Sequence, residues 1–224
     1  MYMHIPALLS ADNLKEIDGL ISEAAFVEGN RSAGRLTKPL KNNLQLDREK
    51  FAKGQELDNA FLGPLWRSLH LRASGLPLRI TPPVISRYET GMSFGSHTDN
   101  PLTGRNGNVR TDMAVAIFLS DPDSYKGGAL SIRTDVGDVN FRLPRGEALL
   151  FPAGAIRSVL EVTEGTMTIA MAWIQSMIQD QAKRQILFEL DRACVMVGEK
   201  APQAEETKLL LKVYGNLMRM WSDV

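Results

Sequence analysis

Pro83-Val84-Ile85-Ser86-Arg87-Tyr88-Glu89-Thr90-Gly91-Met92-Ser93-Phe94-Gly95-Ser96-His97-Thr98-Asp99 is the stretch from which the architecture is read. A β-favouring run (83–88) leads into a glycine-punctuated loop, and the loop ends in His97-x-Asp99. In extended chain alternate residues share a face, so an imidazole and a carboxylate two apart converge on one point. One neutral nitrogen and one anionic oxygen are two of the three donors of the 2-His-1-carboxylate triad, which holds non-haem Fe(II) with open positions. The pair alone also reads as a surface loop with a hydrogen-bonded histidine, so its surroundings decide.

Those surroundings are β-rich. Between 78 and 176, short β-favouring runs (83–88, 114–119, 129–133, 139–143, 148–151, 156–162 and 167–174) alternate with Gly, Pro, Asn and Asp clusters. Such spacing predicts an antiparallel sandwich or barrel rather than parallel βαβ units. Asp121-Pro122-Asp123-Ser124-Tyr125-Lys126-Gly127-Gly128 supplies a long turn, with Pro fixing φ and the Gly pair permitting positive φ. Pro144-Arg145-Gly146-Glu147 reads as a second turn.

Helical spacing brackets this region. Ser10 offers an N-cap for a helix with Leu14, Ile17, Leu20, Ile21 and Ala24 in register. A second helix is predicted over 51–72, with Leu57, Phe61, Leu65, Trp66 and Leu69 on one face and His70 beside it as a partly buried structural histidine. The alternation in 41–47 suits a strand edge. After Ser176 come a helix over 179–194, a linker over 198–204 and a helix over 205–221, whose apolar positions are Leu209, Leu210, Val213, Leu217 and Met220. Met171, Met177 and the methionines of the last helix read as core filler. The chain divides into an N-terminal helical and strand segment (1–77), a β domain (78–178) and a C-terminal helical segment (179–224).

With 224 residues, 44% hydrophobic and 23% charged, the chain suits one globular domain with a full core. Its 26 basic and 26 acidic residues cancel, which gives no support for a nucleic-acid or anionic-membrane surface. The single Cys194 rules out an internal disulfide and fits a reducing compartment. No signal peptide or membrane-spanning run is expected, so the expected location is the cytoplasm.

Several motifs recur in order. They are Lys41-Asn42-Asn43 … Gln45 … Asp47, then Arg87-Tyr88 … Gly91 … Phe94-Gly95 … His97-x-Asp99, and Arg110-Thr111-Asp112. Phe118-Leu119-Ser120-Asp121-Pro122 … Tyr125-x-Gly127-Gly128, Trp173-Ile174-Gln175-Ser176-Met177-Ile178 … Leu187-Phe188-Glu189-Leu190-Asp191 and the Trp221-Ser222 end follow. Together they resemble the PKHD-type hydroxylases, bacterial Fe(II)/2-oxoglutarate-dependent oxygenases of the prolyl 4-hydroxylase-like superfamily, over essentially the whole chain. The resemblance implies an α+β fold: a double-stranded β-helix (jelly-roll-like, cupin-like) core flanked by N- and C-terminal helices, with a site inside its open end. It also implies His97 and Asp99 as metal ligands and catalytic residues, with Tyr88 near 2-oxoglutarate.

Two positions depart from the family pattern. After Phe151-Pro152, where the pattern carries the distal His ligand, stands Arg157, and ten residues on, where it carries an Arg for 2-oxoglutarate, stands Met167. Gly-Gly-Glu has become Gly127-Gly128-Ala129, and the only other histidines are His4 and His70. Arginine has no lone pair for a metal, and methionine binds no carboxylate. The implied cofactors are therefore Fe(II) with an incomplete ligand set and 2-oxoglutarate without its arginine.

Three functions follow. One is an atypical oxygenase acting on a small molecule or peptide, with Arg157 anchoring an acidic co-substrate and Glu161 reaching in from the same strand face. Another is a pseudoenzyme that binds or partners, as a homodimer or with an intact paralogue, in which Arg157 and Asp99 form an ion pair. The third is a metal-independent enzyme reusing the cavity, with His97 or Asp99 as acid or base.

Overall fold

The computed structural model describes residues 1–104 and 107–223, so Arg105, Asn106 and Val224 lie outside it. The first third of the chain contributes β1 (Met3–Ile5), α1 (Ala11–Ser22), β2 (Phe26–Glu28), β3 (Lys41–Asn42), β4 (Leu44–Leu46), α2 (Gly54–Arg67), α3 (Leu69–Gly75) and β5 (Pro77–Ile80). Then come β6 (Val84–Glu89), β7 (Ser93–His97), β8 (Leu102–Thr103), β9 (Val109–Arg110), β10 (Met113–Phe118), β11 (Tyr125–Gly127), β12 (Leu130–Thr134) and β13 (Gly137–Phe141). β14 (Ala148–Pro152), β15 (Arg157–Val159), β16 (Val162–Ser176), α4 (Gln181–Lys200) and α5 (Glu205–Trp221) complete it.

Among the described residues the strands form a large sheet ordered β1-β14-β10-β16-β6-β4-β2, with β5 and β11 also on β16, and a smaller sheet ordered β13-β12-β15-β7-β3. The strand pairings are antiparallel, which confirms the predicted antiparallel core. The two-residue strands β8 and β9 pair apart from both sheets.

Every residue of β10 is buried because both faces of the large sheet are covered. Met113, Val115 and Ile117 face a core shared with the helices through Ile17, Leu57, Phe61 and Leu71. Ala114, Ala116 and Phe118 face the second core, between the sheets, with Leu130, Ile132, Phe151 and Met167. This period-two division recurs on β14 and β16. A third cluster (Leu76, Ile178, Leu187) anchors α4 and α5 through Tyr214, Leu217 and Trp221. Among the described residues no helix is long and apolar enough to cross a membrane.

Several local expectations are corrected. The predicted helix over 51–72 is two helices: Ser68 is extended, closes α2 and caps α3 by accepting from the Leu71 N–H. The new direction of α3 leaves Leu69 and His70 exposed, while Trp66 is 42% exposed at the end of α2. The 41–47 alternation is two strands in different sheets, β3 and β4, with the chain crossing between them at buried Asn43. α4 runs on to Lys200, so Gly198 is helical and the linker spans only 201–204. On α5 the expected stripe is partly on the outside, with Leu209, Val213 and Met220 exposed.

Candidate functional site

The site is built where β3, β7 and β15 lie side by side in the smaller sheet. β7 was expected to be a loop, because Ser93, Gly95 and Ser96 favour strands weakly; it is held in the sheet by its neighbours. Opposite β15, His97 pairs with Arg157 and Phe94 with Val159, so three steps on β7 match two on β15. That extra residue is a β-bulge, which breaks the alternation and turns Phe94 and His97 to the same side. Their rings stack with centroids 3.7 Å apart. Nδ1 of His97 lies 2.8 Å from the Gly95 carbonyl oxygen, an acceptor only, so the proton sits on Nδ1 and Nε2 carries the lone pair. Nε2 is buried and has no hydrogen-bond partner among the described residues.

Beyond the strand end, Asp99 turns back beside His97. Arg157 donates to it twice, Nη2 to Oδ1 at 2.6 Å and Nε to Oδ2 at 3.3 Å. Both side chains are nearly closed off, at 6% and 5% exposure for Arg157 and Asp99. Both carboxylate oxygens are thus engaged by a guanidinium. Burial, reinforced by the Arg157 charge, pushes His97 down to about 4, so the ring is neutral at pH 7. Burial pushes Tyr88 up to about 12 against the opposing pull of Arg157.

These residues face a cavity of about 570 Å³ whose lining includes Lys41, Tyr88, His97, Asp99, Arg157 and Trp173. Lys41, on β3, donates to Ser32 Oγ at 3.0 Å and lies 5.4 Å from the centre of the Phe94 ring. Burial, then repulsion from Arg157, lowers it to about 8. Trp173 packs against the inter-sheet core and also lines the cavity, and its indole Nε1 is buried without a hydrogen-bond partner among the described residues. Met167 stands opposite Tyr88 across β16 and β6, at 1% exposure among apolar side chains of the inter-sheet core.

Glu161 does not reach in: the expected strand 156–162 ends at Val159, and Glu161 is exposed with its carbonyl accepting from Gly128 N. Arg110 and Asp112 brace the sheet instead of lining the cavity. Arg110 Nε donates to Asp112 at 2.8 Å, and Asp112 accepts from Ser176 N at 2.8 Å. Among the described residues no three His, Cys, Asp or Glu side chains gather into a cation-binding group.

Residues 83–175 match the 2OG-Fe(II) oxygenase superfamily model and residues 181–223 the PKHD-type hydroxylase C-terminal domain. A PKHD-type hydroxylase of Gluconacetobacter diazotrophicus is 37% identical over 99% of both chains. The chain belongs to the PKHD-type hydroxylases. A second member, from Thermosynechococcus vestitus, is 36% identical over the full length of both. The viral collagen prolyl hydroxylase of Paramecium bursaria Chlorella virus 1, solved with 2-oxoglutarate, superposes with a TM-score of 0.55 at 18% identity, over 78% of this chain and 96% of that one. That likeness shows the double-stranded β-helix fold. The superfamily uses Fe(II) and 2-oxoglutarate, and the PKHD-type proteins are oxidoreductases of dioxygenase type.

Proposed function

We propose that this PKHD-type chain uses its oxygenase cavity for metal-free ligand binding, as a pseudoenzyme of its family. One observation carries this reading: Arg157 holds both oxygens of the Asp99 carboxylate. A 2-His-1-carboxylate centre needs three donors with free lone pairs. Here His97 supplies one, Asp99 is engaged by a permanent cation, and Arg157 supplies none. A guanidinium beside His97 also repels a divalent ion. The residues present therefore do not fit the Fe(II) centre that the superfamily implies. Nor do they fit 2-oxoglutarate at the usual position, where Met167 is apolar and buried in the inter-sheet core.

A second reading, an atypical oxygenase, draws support from the unpaired Nε2 of His97. Anaerobic Fe(II) titration with elemental analysis separates the two. The expected result is no stoichiometric Fe(II) on the wild-type chain and one Fe(II) per chain on Arg157→His, in which the third donor is restored and Asp99 is released. One Fe(II) per wild-type chain, lost in His97→Ala, overturns the metal-free reading in favour of the oxygenase.

A further inference from the structure

Lys41 brings a primary amine into the cavity without an acid to hold it. Among the described residues the lysines in ion pairs are Lys53, Lys126 and Lys208. Lys41 Nζ instead donates to Ser32 Oγ at 3.0 Å, and the Ser32 hydroxyl is itself committed to Gln45 Oε1 at 2.5 Å. β3 and β15 flank β7, so Lys41 and the Arg157 guanidinium stand on either side of it and line the same cavity. An amine that is desolvated and close to a fixed cation gives up its proton more readily than an exposed lysine, and such amines are nucleophiles. The lowering of Lys41 by burial and by Arg157 agrees with that placement.

We infer that Lys41 forms an imine with a neutral aldehyde whose body is aromatic or aliphatic. This rests on the metal-free reading, since a bound metal would bring its own co-substrate into the same space. Three features of the lining select the ligand. Its acidic and basic side chains are equal in number, and Arg157 and Asp99 pair directly, so no net charge favours an ionic ligand. The indole N–H of Trp173 is a donor only, buried and unpaired among the described residues, which suits a neutral acceptor such as a carbonyl oxygen. Val84, Phe94 and Met171 offer apolar surface to the rest of the molecule, with the Phe94 ring centre 5.4 Å from Lys41 Nζ, in a volume of ordinary ligand-site size. In the reaction the free amine's lone pair attacks the carbonyl carbon, and the C=O π electrons move onto oxygen. A proton passes from nitrogen to that oxygen to give the carbinolamine. Loss of water, which takes the second N–H proton, breaks the C–O bond and leaves C=N. One amine and one aldehyde thus give one imine and one water, with no oxidation or reduction.

Reductive trapping of the full chain tests this, at pH 7 in EDTA, with benzaldehyde as the probe. Cyanoborohydride delivers hydride to the imine carbon and fixes the adduct as a secondary amine, and peptide mapping by mass spectrometry gives the rate at each lysine. The expected result is that Lys41 is labelled at least about tenfold faster than any other lysine, because desolvation raises its free-amine fraction. Its rate is expected to saturate with benzaldehyde, as for a bound ligand, and 4-carboxybenzaldehyde is expected to show a smaller preference for Lys41 over the other lysines. Lys41→Arg should leave only the slow background; if that variant does not fold, the wild-type map alone decides. Labelling of Lys41 no faster than of other lysines, a rate linear in benzaldehyde, or a greater preference for Lys41 with the carboxylated aldehyde overturns the inference. Elemental analysis of the same protein, before EDTA is added, decides the underlying reading separately. When the protein is iron-free and the label fails, only the ligand assignment falls. One iron per wild-type chain defeats both.

Discussion

Arg157→Met isolates the interaction on which the site depends. The substitution keeps an unbranched side chain in the same space but removes the guanidinium, leaving the Asp99 carboxylate 5% exposed and without its two hydrogen bonds of 2.6 and 3.3 Å. Breaking a buried ion pair from one side costs about 3–5 kcal/mol, because the surviving charge stays desolvated. With a urea m-value of about 2–3 kcal/mol/M for a chain of this size, the midpoint falls by about 1–2 M. Asp99→Asn added to Arg157→Met removes the stranded charge and is expected to recover at least half of the loss. The assay is equilibrium urea unfolding followed by far-UV circular dichroism, with EDTA present throughout. Chelation matters because the variant frees His97 and Asp99 for a cation, whose binding would raise the apparent stability and mask the cost. A loss below about 1 kcal/mol for Arg157→Met, or a double variant no more stable than the single one, would refute the pairing as a buried, mutually dependent unit.

Gly127→Ala places a methyl group against the Glu161 carbonyl oxygen at a φ of +71°, so thermal unfolding should show a loss of at least about 2 kcal/mol. Ser10→Ala removes the α1 cap, a reciprocal pair in which Ser10 Oγ accepts from Asn13 N and Asn13 Oδ1 from Ser10 N; thermal unfolding should show a loss of about 1 kcal/mol.

The inter-sheet strands were legible because they are buried on both faces. Ala114–Leu119 and Met167–Ile174 read as continuous apolar runs, which little but a covered strand demands. β7 was not legible, since its local composition argues for a loop and its strand character comes from Lys41 and Arg157 on neighbouring strands far away in sequence. The split of 41–47 between two sheets was hidden for a related reason, because alternation reports which residues share a face but not which sheet owns them. His97-x-Asp99 was visible as a motif, and the family resemblance drew attention to position 157. Lys41 and Gln45 were readable either as lining a substrate mouth or as capping a strand; both line the cavity, and for Lys41 that depends on β3 lying beside a bulged β7, which spacing does not report.

The two departures from the family pattern, at 157 and 167, make one physical change rather than two. The resemblance puts a histidine at the first position, beside a metal, and an arginine at the second. In such a site the metal balances the aspartate, while the arginine balances the far end of the co-substrate. Here a guanidinium at 157 balances Asp99 directly, removing the electrostatic demand for the metal. On the metal-free reading nothing holds the near end of 2-oxoglutarate, so a cation at 167 would be a buried charge with no partner, in the same apolar inter-sheet core as Phe118, Leu149 and Phe151. Methionine fills that volume without such a cost. Restoring function to the frame therefore requires both positions. Arg157→His alone should recover metal binding but not 2-oxoglutarate turnover, and Met167→Arg alone should chiefly destabilise the core.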